Sequence, residues 1–446
     1  MVENLMTKLE ALELPVATIV WSEPFTESSE FTMEDPLAFD YLAQQIGIWL
    51  FPGFTTRTTR AQYYPMVLYG LHLADKAVRV YDYPDTDLVR RKLFERWEKF
   101  WALATVESHG GIIGIGHPDS MRGIKGALSA WKPKGELPLD FKLIERQLEL
   151  GGLGAYLSSL RYYNLVGQGS FKPLPIAKPI IENFWRSSGG FNKYENFALE
   201  ALNLESVQIP RKLTVTLATL GQLSRMTSIQ NFSPQQDLAS RVLFTRGDST
   251  TELANCLIQA TKMGMKPTKE FLKEIVNGSL GDVSVQVRDS IKFSIIFGEI
   301  YILLLDSFNQ IYNALLRKGW SNFNSIANEV FSDTKLAAIR EASKRLLSEN
   351  RISGISKLNF HGPQFSEMIQ TMAHSDPNET LRILLKYHRQ VQKSRQGGTS
   401  WIREDQDQLK LVKSNYNGHK RKATFPDFKF SVVLGLLNDL GRLQDD

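Results

Sequence analysis

The feature that most constrains the fold is a long helical pattern that runs from Val287 to Lys318. Its apolar residues recur on almost every side of a helix with 3.6 residues per turn, instead of along one stripe. Such a helix needs neighbours on all sides, because each of its apolar faces must be shielded from water. The segment therefore predicts a multi-helical bundle with this helix at its centre.

Shorter helical patterns occur on both sides of this segment. They carry apolar residues at every third or fourth position, as amphipathic helices do, and comprise residues 36–50, 86–106, 136–150, 153–165 and 378–395. Near the C-terminus, Trp401–Ile402 and Leu409–Val412 flank a polar turn, which predicts a β-hairpin. We therefore expect a mainly α protein of multi-helical bundle domains with a small C-terminal β-hairpin.

A proline-rich segment and an uneven charge distribution suggest how the chain is organised. Residues 167–179 contain three prolines and predict an extended linker between an N-terminal helical domain (1–166) and a second helical domain (180–446). Residues 1–50 hold nine acids and one base, whereas residues 381–430 hold twelve bases and four acids. This separation predicts either an acidic arm that folds over a basic surface or a basic end that meets a polyanion.

Cysteine content and hydropathy bear on the compartment. The single cysteine, Cys256, excludes an internal disulfide and any multi-cysteine zinc site, which fits a reducing compartment. The N-terminus carries acids where a signal peptide has bases. The longest apolar run, from Ile295 to Leu305, is too short to span a bilayer. We therefore expect a soluble, cytoplasmic protein of bacterial type with no membrane partner.

The sequence contains no recognisable catalytic constellation. Its seven histidines are scattered without HxxxH or HExxH spacing, and no GxSxG, Walker or kinase signature is present. Cys256 lies in an apolar helical pattern and is interpreted as a core residue. We therefore predict no metal, no cofactor and no catalytic residues, with a nuclease or hydrolase whose site is dispersed along the chain as an alternative.

A threonine- and arginine-rich turn follows Pro52–Gly53. If the next helix begins near Thr56, two arginines and a tyrosine fall on one face, and the helix N-terminus could hold a phosphate. A glycine-rich segment, 110–126, adds a histidine and an arginine that could orient an anion. The candidate anion-binding residues are Arg57, Arg60, Tyr64, His117 and Arg122. The alternative is that the threonines cap the turn, the arginines pair with carboxylates and the glycines form a tight loop.

The clearest electrostatic feature is a row of four bases in the predicted helix 378–395, within about 60° of arc. Lysine and arginine make salt-sensitive phosphate contacts without sequence information, and a nearby tryptophan could stack on a base. The predicted DNA or RNA interface consists of Arg382, Lys386, Arg389, Lys393, Arg395, Trp401, Lys420, Arg421 and Lys422. The alternative is that the row is the solvated face of a helix and that Trp401 covers the hairpin.

Two segments near the N-terminus carry a resemblance to a protein family. Gly47–Thr55 (GIWLFPGFT) and Thr58–Tyr64 (TTRAQYY) resemble a Leu-Pro-Gly-(Ile/Leu)-Thr and Arg-Ala-Arg-Tyr-Tyr motif. The motif is found near the start of uncharacterised bacterial proteins encoded in anti-phage defence islands, beside helicase and phospholipase-D-like nuclease genes. Here Gln62 replaces the second arginine and Phe51 precedes the proline, and the resemblance covers about a tenth of the chain. It implies a component of a defence complex and assigns no catalytic residue.

These observations favour a non-catalytic subunit that engages nucleic acid, or acts as an adaptor, in a larger bacterial assembly. A purely protein-binding scaffold is the first alternative, and an enzyme with a dispersed site is the second.

Overall fold

A computed structural model of the protein describes residues 35–108, 110–111, 122–184, 191–209, 238, 242–395 and 398–443, without the side chains of 108 and 191–194. The structure is 61% helical, and its 17 helices are accompanied only by small antiparallel sheets within the described residues. This confirms the predicted mainly α class. Residues 1–34, which hold seven of the nine acids in the N-terminal segment 1–50, lie outside the described residues.

The helices, in chain order, are α1 (Phe39–Leu50), α2 (Tyr63–Val80), α3 (Asp87–Ser108), α4 (Ile124–Ala130), α5 (Gln147–Leu150), α6 (Gly152–Tyr162), α7 (Lys178–Glu182), α8 (Phe191–Ala201), α9 (Ser249–Lys262), α10 (Lys269–Asn277), α11 (Val285–Lys318), α12 (Phe323–Val330), α13 (Asp333–Ser348), α14 (Ile352–Ser356), α15 (Gly362–Met372), α16 (Pro377–Lys393) and α17 (Phe430–Asp439). The strands are β1 (Leu137–Pro138), β2 (Gln208–Ile209), β3 (Trp320–Asn322), β4 (Ile402–Asp405) and β5 (Gln408–Leu411). β1 pairs with β2, and the other three form an antiparallel sheet in the order β3-β5-β4.

The chain forms two compact units. Among the described residues, the first comprises 53–254 and 432–443, and the second comprises 35–52 and 255–431. The predicted linker, 167–179, lies inside the first unit. There it folds back on itself, since the Leu174 N–H donates to the Leu165 carbonyl, and the buried Phe171 ring lies 4.6 Å from the Arg91 guanidinium. The proline-rich segment is therefore anchored to the first unit and does not separate the two units.

The first unit is built on the pair α2 and α3. Most of α2 is buried. A Cβ atom at Gly70 would lie 2.2 Å from the Trp97 ring, so glycine is required for α3 to pack this closely. The Trp97 indole N–H donates to the Met66 carbonyl at 3.1 Å, which satisfies the one polar atom of this buried ring.

The second unit surrounds α11, which has 34 residues and is buried along most of its length. The Ser284 side chain caps its N-terminus, and Gly319, with φ of 74°, ends it. The predicted central helix is therefore confirmed. The predicted hairpin is confirmed as β4 and β5, with β3 as an additional strand that is too short to be recognised from periodicity.

Two helix predictions are wrong. Only Gln147–Leu150 of the predicted helix 136–150 is helical, because Leu137 and Pro138 instead pair with β2. The helix predicted to begin near Thr56 begins at Tyr63, with Pro65 in its first turn. The preceding residues form a turn in which the Thr58 hydroxyl donates to the Thr55 carbonyl at 2.9 Å, so these hydroxyls stabilise the turn itself.

Candidate nucleic-acid interface

The candidate interface centres on α16, whose start is defined by local capping. The Asp376 carboxylate accepts a hydrogen bond from the Glu379 N–H at 2.8 Å, and Pro377 occupies the first helical position. One side of α16 is apolar and buried, and includes Leu381, Leu384 and Val391. Helical geometry then directs the residues between these positions toward solvent.

Four bases on the opposite side of α16 form what we call the basic face: Arg382, Lys386, Arg389 and Lys393. All four are exposed. Lys386 pairs with Glu367 at 2.8 Å, and Arg382 lies 3.8 Å from a Glu404 carboxylate oxygen. Within the described residues, Arg389 and Lys393 have no ion-pair partner. Because an exposed ion pair contributes about 0–1 kcal/mol to stability, Arg382 and Lys386 can exchange their carboxylate contacts for phosphates at little cost.

The buried side of α16 carries His388. Its Nδ1–H donates to the Pro36 carbonyl at 2.8 Å, and its Nε2 accepts from the Trp401 N–H at 3.1 Å. Burial lowers the pKa of His388 to about 4. The ring is therefore neutral at pH 7 and joins α16 both to the segment before α1 and to the start of the hairpin.

The structure corrects the proposed stacking role of Trp401. This residue is 2% exposed, with its ring 4.9 Å from Tyr416 and 5.3 Å from His388, and with the Lys413 ammonium 4.5 Å from its centroid. A base cannot reach an indole that is enclosed in this way. Trp401 instead packs beneath the hairpin, as the alternative interpretation of the sequence has it.

Arg395 is also turned away from the basic face. It is only partly exposed, its Nη1 is buried, and its charge acts on the buried carboxyl of Asp35. Burial is the larger influence on Asp35 and raises its pKa to about 7. Arg395 therefore contributes charge to the interior of the second unit and does not line the exposed row.

The basic run Lys420, Arg421 and Lys422 is exposed, but it is held by a different helix. The Asn313 amide of α11 donates to the His419 carbonyl at 3.1 Å, and Asp306 of α11 accepts from the Ala423 N–H at 2.8 Å. These contacts fix the run against α11. This run is therefore a separate group of exposed cations from the row on α16, and the row on α16 is the more regular of the two.

The candidate anion-binding residues of the first unit are brought together, but their donors point at acceptors of the chain itself. The Arg60 Nε lies 2.8 Å from an Asp439 carboxylate oxygen, and the Tyr64 and Ser159 hydroxyls are 2.7 Å apart. The Arg122 guanidinium donates to the carbonyls of Arg57, at 2.7 Å, and Leu150, at 3.0 Å. Arg57 donates to the Glu149 carbonyl at 3.3 Å. These contacts favour the structural alternative; His117 lies outside the described residues.

Buried Glu98 in the first unit is the strongest candidate for a dispersed catalytic group. Burial raises its pKa to about 7, but its carboxylate already accepts hydrogen bonds from the Gly152 N–H and the Gln147 amide. It therefore caps the N-terminus of α6. No group of three or more metal-ligating side chains occurs among the residues that the structure describes.

The structure shows a further group of cations that the sequence did not reveal. Lys273, Lys292 and Arg345 come from three different helices and line a cavity of about 320 Å³. Glu349 lines the same cavity, and Glu299 lies 3.0 Å from Arg345. Because these carboxylates offset much of the positive charge, the cavity is a weaker anion site than the basic face.

Comparisons with known proteins found no matching family model, no similar curated protein and no similar solved structure. Among the described residues, no helix is both long enough and apolar enough to cross a membrane.

Proposed function

We propose that the second unit binds the backbone of nucleic acid through the basic face, and that the protein serves as a non-catalytic subunit of a larger bacterial assembly. The observation that carries the proposal is the row of four exposed cations on α16, of which Arg389 and Lys393 have no carboxylate partner among the described residues. In the described part of the chain, carboxylates lie beside Arg382 and Lys386 only, so the charge of Arg389 and Lys393 in particular is available to a polyanion.

The length of the row fits a polyanion better than a single anion. From Arg382 to Lys393 the helix rises about 16 Å, whereas successive phosphates of one B-DNA strand rise about 3.4 Å along the axis. Four cations over this length meet several phosphates of one strand. Contacts of lysine and arginine with phosphates carry no sequence information, so we expect binding with little sequence preference.

The assignment to a bacterial defence assembly depends on the N-terminal motif alone. Two residues of this motif, Arg60 and Tyr64, make buried contacts within the first unit, with Asp439 and Ser159, and they are not part of the basic face. The adaptor role combines a nucleic-acid-binding second unit with a first unit in which the described candidate arginines, Arg57, Arg60 and Arg122, contact acceptors of their own chain. A protein-binding scaffold is the alternative.

The test is binding of labelled single- and double-stranded DNA over a series of salt concentrations. The variant replaces Arg382, Lys386, Arg389 and Lys393 by glutamate. A matched control replaces four exposed lysines of the first unit by glutamate: Lys125, Lys132, Lys134 and Lys142. We expect the wild type and the control to show the same steep salt dependence, and the α16 variant to lose about one unit of slope per phosphate contact removed.

Equal slopes in all three proteins would move the interaction away from α16. No binding by the folded wild type would reject the nucleic-acid function and leave the scaffold alternative.

A further inference from the structure

The second unit exposes a tryptophan that the sequence patterns did not single out. Trp320 is the first residue of β3 and is 54% exposed. Within the described part of the chain, its indole forms no ring contact and no hydrogen bond. An exposed indole presents a flat apolar face and a polar N–H at the protein surface, and nucleic-acid bases stack on aromatic faces of this kind.

The strand register places two cations beside Trp320. Trp320 lies opposite Lys410 on β5, and Lys410 lies opposite Arg403 on β4. Residues directly opposite each other in a sheet share a face, so the three side chains form one row. Ser321 and Leu409 belong to the adjacent row, and both are buried. The row of Trp320, Lys410 and Arg403 is therefore on the outer face, and we call it the aromatic platform.

The spacing and charge of the platform fit a nucleotide. Adjacent strands are about 4.8 Å apart, so the row extends about 10 Å from the indole to the arginine. Lys410 pairs only with exposed Asp405, at 3.0 Å, and exposed Arg403 has no ion-pair partner among the described residues. Val412, which is 56% exposed, follows Lys410 on the same face by strand alternation and adds apolar surface.

The basic face and the aromatic platform lie near the same sheet but on opposite faces of it. Arg382, at the start of the basic face, lies 3.8 Å from Glu404 of β4 and 5.2 Å from the ring centroid of Phe323, the residue that follows β3. Glu404 lies opposite Leu409 and therefore belongs to the inner row, whereas Arg403, its neighbour on β4, belongs to the platform. The platform is therefore a separate group of cations from the basic face.

We propose that Trp320 stacks on an unpaired base of single-stranded nucleic acid, whose phosphates contact Lys410 and Arg403. This inference rests on the proposed function. A single strand is the ligand because its bases are free to leave their own stack, whereas a duplex keeps them paired inside. Stacking tolerates any base, so the platform adds affinity for single strands without sequence specificity.

The test uses a thymidine oligonucleotide, an abasic oligonucleotide of the same length and a duplex as probes. The proteins are the wild type, Trp320→Ala and Trp320→Phe. We expect Trp320→Ala to bind the thymidine strand about 10-fold more weakly at every salt concentration, with no change in salt slope, because stacking releases no counterions. Trp320→Phe keeps an aromatic face and should restore most of the affinity.

Binding of the abasic strand and the duplex should be unchanged in both variants. Equal affinity of wild type and Trp320→Ala for the thymidine strand would overturn the stacking role. The proposed function would still stand in that case if the α16 variant lost its salt slope. A wild type that binds none of the three probes would reject both proposals.

Discussion

Two regions of this protein are similar in sequence, because both are rich in basic residues, but they differ in structure. Around Arg60 in the first unit, the guanidinium groups end on carbonyls and on the Asp439 carboxylate of their own unit. On the basic face of the second unit, the cations project into solvent, and two of them lack a carboxylate partner among the described residues. The first arrangement stabilises a fold, whereas the second leaves charge available for a ligand.

The difference lies in what the rest of the chain brings to each region. Asp439 reaches Arg60 from the far end of the chain and also accepts from the Ala61 N–H at 2.9 Å. A buried charge that loses its partner is costly, whereas an exposed charge is solvated by water in either case. Substitutions in the two regions should therefore change different properties of the protein.

The largest effect is expected from breaking the buried pair. Arg60→Ala leaves the Asp439 carboxyl buried without its cation and should lower the free energy of unfolding by about 3–5 kcal/mol. Arg389→Ala, on the exposed row, should change it by about 0.5 kcal/mol or less. Urea unfolding of both variants measures this contrast. Similar losses in the two variants would show that the regions do not differ as described.

A smaller effect distinguishes the buried side of α16 from its exposed side. Because burial lowers the pKa of His388 to about 4, the unfolded chain takes up this proton near pH 6.5 and the folded chain does not. The contribution of neutral His388 to the free energy of unfolding is therefore fully present above pH 6.5 and is lost as the pH falls toward 4. At pH 5 this loss should be about 2 kcal/mol.

The measurement is the unfolding free energy of wild type and His388→Gln at pH 7 and pH 5. The variant should lose less stability on acidification than the wild type. Asp35, whose pKa burial raises to about 7, titrates over the same range with the opposite sign, and Arg395 and Lys413 also act on His388. These groups are common to both proteins, so the difference reports His388. An identical acid response in both would contradict a neutral, buried His388.

Periodicity in the sequence was sufficient to predict the frame of the fold. The apolar pattern of α11, the stripe of α16 and the β4–β5 hairpin were all recognisable, because local side-chain spacing determines which face is buried. The segment 136–150 was misassigned, because Leu137 and Pro138 pair with residues some seventy positions away. Such a pairing is invisible to any local pattern.

The sequence was sufficient to predict the charged residues of the candidate site, but not which tryptophan is exposed. The row on α16 follows from helical spacing, and the structure places those four side chains on one exposed face. Trp401 and Trp320 are both tryptophans near the same sheet, yet one is enclosed by Tyr416 and His388 and the other is exposed. Tertiary contacts decide which ring is accessible, and the sequence shows none of them.

The most direct test of the account is lysine acetylation footprinting of the folded protein, with and without bound single-stranded DNA. We expect DNA to protect Lys386, Lys393 and Lys410 of the second unit, and to leave exposed Lys142 and Lys178 of the first unit equally reactive. That result would place the polyanion on the basic face and the aromatic platform. Protection confined to lysines of the first unit, with α16 fully reactive while DNA is bound, would contradict the account.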